Sequence, residues 1–291
     1  MKPAEFDYVR PESVAEALEL LRDNPDAKLL AGGQSLLTLM NLRLARPRLV
    51  IDIGRLGELT RVFDDVDRVV LGALVTHRAV ETDPLIGARA PLLADAAGYI
   101  GHIGIRNRGT IGGSVAHADP AAEMPLATLV CGATFHVESA VSGRREVPAE
   151  DMFVSFYENA LEPHEMITWI SVPAIRPDQG WGFVEYAHQH GDYGLAGAGC
   201  LVTLDARGRV HTVRAAVLSA ADRPLLFTET IDAQPDPTLW DELAHTWAAQ
   251  TEPAADDTDY ARRLCASALT EAMSAAARRA LRVEDPAHVR R

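Results

Sequence analysis

The chain has 291 residues, 47% of them hydrophobic and 24% charged, enough for two or three cores at about 100–200 residues per domain. Its 28 Lys and Arg against 41 Asp and Glu give a net charge of −13, which leaves no basic footprint and argues against a nucleic-acid partner. No apolar run reaches the roughly 18 residues that would raise a membrane helix, and the N-terminal MKPAEFDYVRPES lacks the basic and apolar regions of a secretory leader, so the expected location is cytoplasmic, without membrane insertion.

FDYVRP reads as a short strand closed by proline. Ser13 with Glu16 forms a capping box, and Val14, Ala17, Leu18 and Leu21 recur at helical spacing until Asn24-Pro25. KLLA is a strand, LLTLMNLRL a short helix, and RLVIDI at 48–53 a strand. From about 60 to 173 the strand candidates are RVF, RVVLGALV, ATFHVE, REVP and EMITWISVP. HRAVETDPLI, APLLADAAGYIG and PAAEMPLATLV lie between them as helix candidates. AIRPDQGWG at 174–182 carries two breakers and reads as a linker. FVEYAHQH is a strand, and LAGAGCLVTLDARGRVHTVRAAVLSA a hairpin around Asp-Ala-Arg-Gly-Arg. Helices follow in TLWDELAHTWAAQ and over 257–282, ahead of a polar tail, VEDPAHVRR.

Two Gly-Gly pairs stand out, GGQS at 32–35 and GGS at 112–114. Glycine admits φ > 0 and close approach of a ligand, and successive amides in such a turn make an anion-binding concavity. Ser35, Thr110 and Ser114 add hydroxyls. Two such loops could hold one diphosphate between them, which suggests a dinucleotide; read singly, each pair is an ordinary turn. No G-x-G-x-x-G, Gly-Lys-Ser/Thr, H-E-x-x-H or G-x-S-x-G occurs, which removes the Rossmann, P-loop, zincin and hydrolase templates. Cys131, Cys200 and Cys265 form no zinc signature and are fewer than the four thiolates an iron–sulfur cluster usually takes.

AGGQSL at 31–36, IRNRGTIGGSVAHADPAAE at 105–123 and GDY at 191–193 together resemble the flavin-binding medium subunit of molybdenum hydroxylases of the carbon monoxide dehydrogenase and xanthine dehydrogenase type. The resemblance runs over nearly the whole chain. It implies an α+β fold: a two-subdomain FAD-binding domain over 1–176 (subdomains about 1–55 and 56–176), of the vanillyl-alcohol-oxidase-like kind, then a C-terminal domain over 177–291 with an antiparallel sheet and helices. Breaks in the residue pattern near 55 and 177 agree with it.

The cofactor it implies on this chain is FAD. Ala31, Gly32, Gly33, Gln34 and Ser35 match the first diphosphate loop, flanked by Leu30 and Leu36. Thr110, Ile111, Gly112, Gly113 and Ser114 match the second. His117 and Glu123 follow as a polar and an acidic contact, Ile167 packs near the isoalloxazine, and Tyr193 is the aromatic beside the flavin ring. His77 is a further candidate contact, and Arg106 and Arg108 are loop charges that face either a partner or the diphosphate.

The resemblance also implies partners: a large subunit with the molybdenum cofactor and a small subunit with two 2Fe–2S clusters, in one heterotrimer or its dimer, together with an external electron acceptor. Substrate oxidation then belongs to the large subunit, and no side chain here is catalytic toward it. EYAHQHGDY departs from the family, with His188 and His190 where relatives carry arginines; that puts a cation's role there in doubt. The HADPAAE form leans away from carbon monoxide as substrate. Two alternatives stay open: a free-standing FAD-dependent oxidase or reductase of the same superfamily, and a non-redox subunit that has lost FAD.

Overall fold

The computed structural model describes residues 2–253 and 258–282; the tail expected over 283–291, and residue 257 of the last helix, lie outside the described residues. The chain begins β1 (Asp7–Val9), α1 (Val14–Asp23), β2 (Lys28–Leu30), α2 (Leu36–Asn41), β3 (Leu49–Asp52). The three strands make a parallel sheet in the order β1-β3-β2. The Ser13 hydroxyl accepts from the Glu16 N–H at 3.1 Å, as the capping box requires, but the Glu16 carboxylate reaches one residue further back, to the Glu12 N–H. The apolar stripe Ala17, Leu18 and Leu21 of α1 packs with Ile51, Ile53, Leu56 and Leu59. Because β2 is an edge strand, the chain can leave the sheet at residue 31 without breaking a ladder on both sides.

The middle of the chain runs β4 (Val62–Asp65), β5 (Arg68–Gly72), α3 (His77–Thr82), α4 (Pro84–Arg89), α5 (Pro91–Ala97), α6 (Ile103–Arg106), α7 (Ile111–His117), α8 (Glu123–Cys131), β6 (Thr134–Ser139), β7 (Gly143–Pro148), α9 (Ala149–Met152), β8 (Phe153–Ser155), β9 (Glu158–Asn159) and β10 (Met166–Pro173). Five of these strands form an antiparallel sheet, β4-β5-β10-β6-β7. HRAVETDPLI, expected as one helix, is two. Pro84 cannot donate into a continuing helix, and the Asp83 carboxylate caps the second one by accepting from Leu85 and Ile86 N–H.

The C-terminal part is a four-stranded antiparallel meander, β11 (Gln179–Tyr186), β12 (Ala196–Leu204), β13 (Val210–Leu218), β14 (Leu225–Ala233), covered on one face by α10 (Pro237–Ala248) and α11 (Thr258–Ala280). Two expectations change here. The Gln179–Gly182 part of the expected linker is strand. Gly180 and Gly182 are not breakers: a Cβ on either would overlap the carbonyl oxygen of Ala276 or Ala272 in α11. Strand β14 carried no expectation, because Leu225–Ala233 is an edge strand with few buried positions. Among the described residues no helix is long and apolar enough to cross a membrane.

The backbone contact between β11 and α11 predicts that Gly182→Val lowers the melting temperature followed by circular dichroism, with an overpacking cost of about 1–3 kcal/mol or more. A Val at exposed Gly57, where an added Cβ meets nothing within 4 Å, leaves it nearly unchanged.

Candidate functional site

The first glycine pair sits where β2 leaves its sheet. Gly33 takes φ +76°, open to glycine at little cost, and Ser35 is already right-handed helical. The leucines at 30 and 37 close on either side of Gly33; a Cβ there would lie 3.2 and 3.0 Å from their methyls. The carbonyls are turned inward: Gly33 accepts from the Leu37 N–H at 3.2 Å and Gly32 from the Gln34 side-chain amide at 3.1 Å. The N–H groups are not. Among the described residues, those of Ala31, Gly32, Gly33, Gln34, Ser35 and Leu36 have no acceptor within the chain. A left-handed residue followed by right-handed ones, with free consecutive amides, is an anion nest.

The second pair is built differently, and the expectation of a loop with positive φ is corrected. Gly112 and Gly113 lie inside helix α7, and neither has φ > 0. The amides at the helix start are committed: Ile111 donates to Val75 O at 3.0 Å and Gly112 to Ala73 O at 2.9 Å, while Gly113 donates to Thr110 Oγ1 at 3.2 Å. The glycines serve close approach. A Cβ on Gly112 would lie 2.7 Å from Ala73 O, and one on Gly113 would lie 2.8 Å from Thr110 Oγ1 and 3.8 Å from the Ala31 methyl.

The two motifs meet. A Cβ on Gly32 would overlap the Arg108 carbonyl and lie 2.8 Å from Gly109 Cα, so the first loop rests directly on the backbone leading into the second. His77 supports that backbone from below. Its N–H donates to Gly109 O at 2.9 Å, and a Cβ on Gly109 would lie 2.7 Å from the His77 ring. The ring is 5% exposed with Nδ1 unpartnered. Burial, and then the charge of Arg106, push it down to about 4, so it is neutral. Arg106 is spoken for by Glu81 and by the carbonyls of Ile100 and Gly101.

Helix α7 then runs about 10 Å at 1.5 Å per residue to a second cluster. The His117 and Tyr157 rings lie 5.1 Å apart, and the Tyr157 N–H donates to Ala118 O at 3.2 Å. Tyr157 is 59% and Tyr193 71% exposed, unusual for side chains with this much apolar surface. Burial raises the Tyr193 hydroxyl, followed by the charges of Asp119, Tyr157 and Glu123. Burial pushes Glu123 up to about 7, with Asp119 adding; it pushes Glu185 up to about 8, with Glu123 adding. Among the described residues no cation pairs with these three carboxyls, and Glu185 Oε2 is buried without a partner. Ile167, by contrast, is 4% exposed in the larger core and presents little side-chain surface to a ligand. Glu185 had no distinguishing signal in the sequence; it is an ordinary strand glutamate until the sheet is folded.

A row of free amides and an acidic, aromatic end one short helix away together suit an elongated ligand with an anionic middle, the shape of a dinucleotide. This defines a candidate dinucleotide-binding domain. Residues 4–175 match the model of the FAD binding domain in molybdopterin dehydrogenase, and the chain belongs to that family. It is 39% identical over 260 residues to subunit alpha of the 6-hydroxypseudooxynicotine dehydrogenase complex of Paenarthrobacter nicotinovorans, covering 89% of this chain and 86% of the relative. It is 37% identical over 294 residues to the carbon monoxide dehydrogenase medium chain of Hydrogenophaga pseudoflava, covering 95% and 98%. Among solved structures, the carbon monoxide dehydrogenase from Hydrogenophaga pseudoflava that lacks the Mo-pyranopterin moiety superposes with a TM-score of 0.91 at 36% identity, covering 95% of this chain and 98% of that one. Quinoline 2-oxidoreductase from Pseudomonas putida 86 gives 0.91 at 32%, covering 97% and 100%.

Two predictions follow from this geometry. Gly32→Ala drives a methyl into the Arg108 carbonyl, so FAD affinity measured by flavin fluorescence titration falls at least about tenfold, a change worth about 1.4 kcal/mol. The second concerns pH. Glu123 and Glu185 are raised above the ordinary 4.5, so the native state holds their protons more tightly than the unfolded chain does. The stability this contributes is complete below about 4.5 and is lost as pH rises through about 7 and about 8. The melting temperature of the FAD-free chain therefore falls between about pH 5 and pH 9, and Glu185→Gln flattens that fall.

Proposed function

We propose that this chain is the FAD-carrying electron-transfer subunit of a molybdenum-containing hydroxylase or dehydrogenase. It receives electrons from the 2Fe–2S clusters of a small subunit and passes them to an external acceptor, while a large subunit with the molybdenum cofactor oxidises the substrate. The observation that carries this reading is the meeting of the Gly32–Gly33 turn with the Arg108–Gly109 backbone, with the amides of residues 31–36 free. Bound FAD supplies a centre that accepts electrons one at a time and releases them as a pair.

The chain's own residues bind and orient. The amides of Ala31, Gly32, Gly33, Gln34 and Ser35 hold the diphosphate, with the Ser35 and Ser114 hydroxyls beside it. Leu30 and Leu36 flank the turn. Thr110, Ile111, Gly112 and Gly113 supply the close surface opposite. Tyr193 covers the flavin ring, with His117 near its edge, and Glu123 accepts from a hydroxyl of the cofactor. Ile167 contributes from the core beneath α7. No group here carries out acid–base chemistry on the organic substrate. Residues 1–176 form the FAD-binding domain, in subdomains of about 1–55 and 56–176, and 177–291 the C-terminal domain; the family match over 4–175 supports this division.

Relatives named for 6-hydroxypseudooxynicotine and for carbon monoxide are similar to this chain to nearly the same degree, 39% and 37%. The medium subunit thus does not distinguish their substrates, as expected if substrate choice is made on the large subunit.

Co-expression and co-purification with a large molybdenum-cofactor subunit and a small iron–sulfur subunit from the same source test the proposal. The complex is expected to carry one FAD per copy of this chain, reduced on adding the complex's substrate. The isolated chain keeps its FAD oxidised in the same mixture. Substrate oxidation by the isolated chain would instead favour a free-standing flavoenzyme.

A further inference from the structure

Tyr193 stands 71% exposed in the irregular segment between β11 and β12, so neighbouring side chains do little to hold its ring. The backbone beside it is held from both sides. In the peptide that joins Gly194 to Leu195, the N–H donates to Tyr186 O at 2.7 Å and the C=O accepts from Ser219 Oγ at 2.7 Å. The Ser219 N–H in turn donates to Pro120 O at 3.0 Å, in the turn that leads from α7 to Glu123. One residue therefore ties the Tyr193 segment to the far end of the cofactor cradle.

Ser219 does this at φ +57°, in the left-handed region that residues other than glycine, asparagine and aspartate seldom occupy. A serine in that conformation is more strained than a glycine would be, yet only a side chain with a donor can reach the Gly194 carbonyl. Below the segment there is no slack: a Cβ on Gly194 would lie 3.0 Å from Glu185 Cγ and 3.0 Å from Leu218 Cδ1. On its other side the turn after β13 is pinned by the Glu252 N–H donating to Ala220 O at 2.8 Å.

We propose that Ser219 is a positioning residue for Tyr193, through which the C-terminal sheet sets the face that the flavin ring meets. This rests on the reading that Tyr193 lies against the flavin. It separates two effects that usually move together. Ser219→Gly relieves the left-handed backbone and keeps the N–H to Pro120, but loses the hydroxyl; Ser219→Asn tolerates the same backbone and restores a donor.

The test uses the full chain loaded with FAD, in complex with its partner subunits if they co-purify. Three quantities are read for wild type, Ser219→Gly, Ser219→Asn and Tyr193→Ala: melting temperature of the FAD-free chain, visible circular dichroism and fluorescence quenching of bound flavin, and FAD affinity. Ser219→Gly is expected to melt no lower than wild type, while its flavin signals shift toward those of Tyr193→Ala and its FAD Kd rises about 3- to 10-fold, the scale of one lost hydrogen bond. Ser219→Asn recovers part of both. If Tyr193→Ala alters the flavin signals and Ser219→Gly does not, the positioning role is overturned and the Tyr193 reading stands. If Tyr193→Ala alters nothing, the reading beneath it fails and takes the positioning role with it.

Discussion

Backbone lies against backbone where the Gly32 Cα meets the Arg108 carbonyl and Gly109. That contact joins the edge of the N-terminal parallel sheet to the backbone just before helix α7, and it forms only because Gly32 has no side chain. Among the described residues, the Ala31–Leu36 amides beside it have no acceptor within the chain. Unsatisfied donors of this kind are tolerated beside water and are strongly rewarded beside an anion. On the proposed reading, a diphosphate bound at these amides favours the docked arrangement of the first sheet by mass action.

The two glycine pairs resemble each other as letters and differ as physics. Gly33 is required by its left-handed φ of +76°. Gly112 is required because Ala73 occupies the space of its Cβ, and Gly113 because Thr110 Oγ1 does, with Ala31 facing it further out. The first motif leaves its donors free; the second spends its own on Val75, Ala73 and Thr110. At the other end of α7 the chemistry inverts. Among the described residues Asp119, Glu123 and Glu185 have no cationic partner, and burial raises the two glutamates to about 7 and about 8.

Much of this was legible beforehand. The first helix with its Ser13 cap, the hairpin of β12 and β13 and the two glycine motifs follow from local pattern, because in each the signal is contained in a short window; the α+β fold came from the family resemblance that those motifs carry. What was missed is long-range. Gly180 and Gly182 look like linker residues until α11, some ninety positions later, is laid across them. Strand β14 is half-exposed and has no clean alternation. The roles of His77, Glu185 and Ser219 exist only through partners distant in sequence, and the helical state of the second glycine pair depends on Val75 and Ala73 accepting its amides.

The central claim is that the free amides of residues 31–36 recognise a diphosphate. The most direct test is an equilibrium titration of the deflavinated chain with FAD and, separately, with riboflavin, which has the same ring and no phosphate. One FAD is expected to bind per chain, and riboflavin to bind more weakly by at least about 100-fold, on the scale of two or more charge-assisted hydrogen bonds. Equal affinity for the two, or no FAD uptake, would contradict that claim.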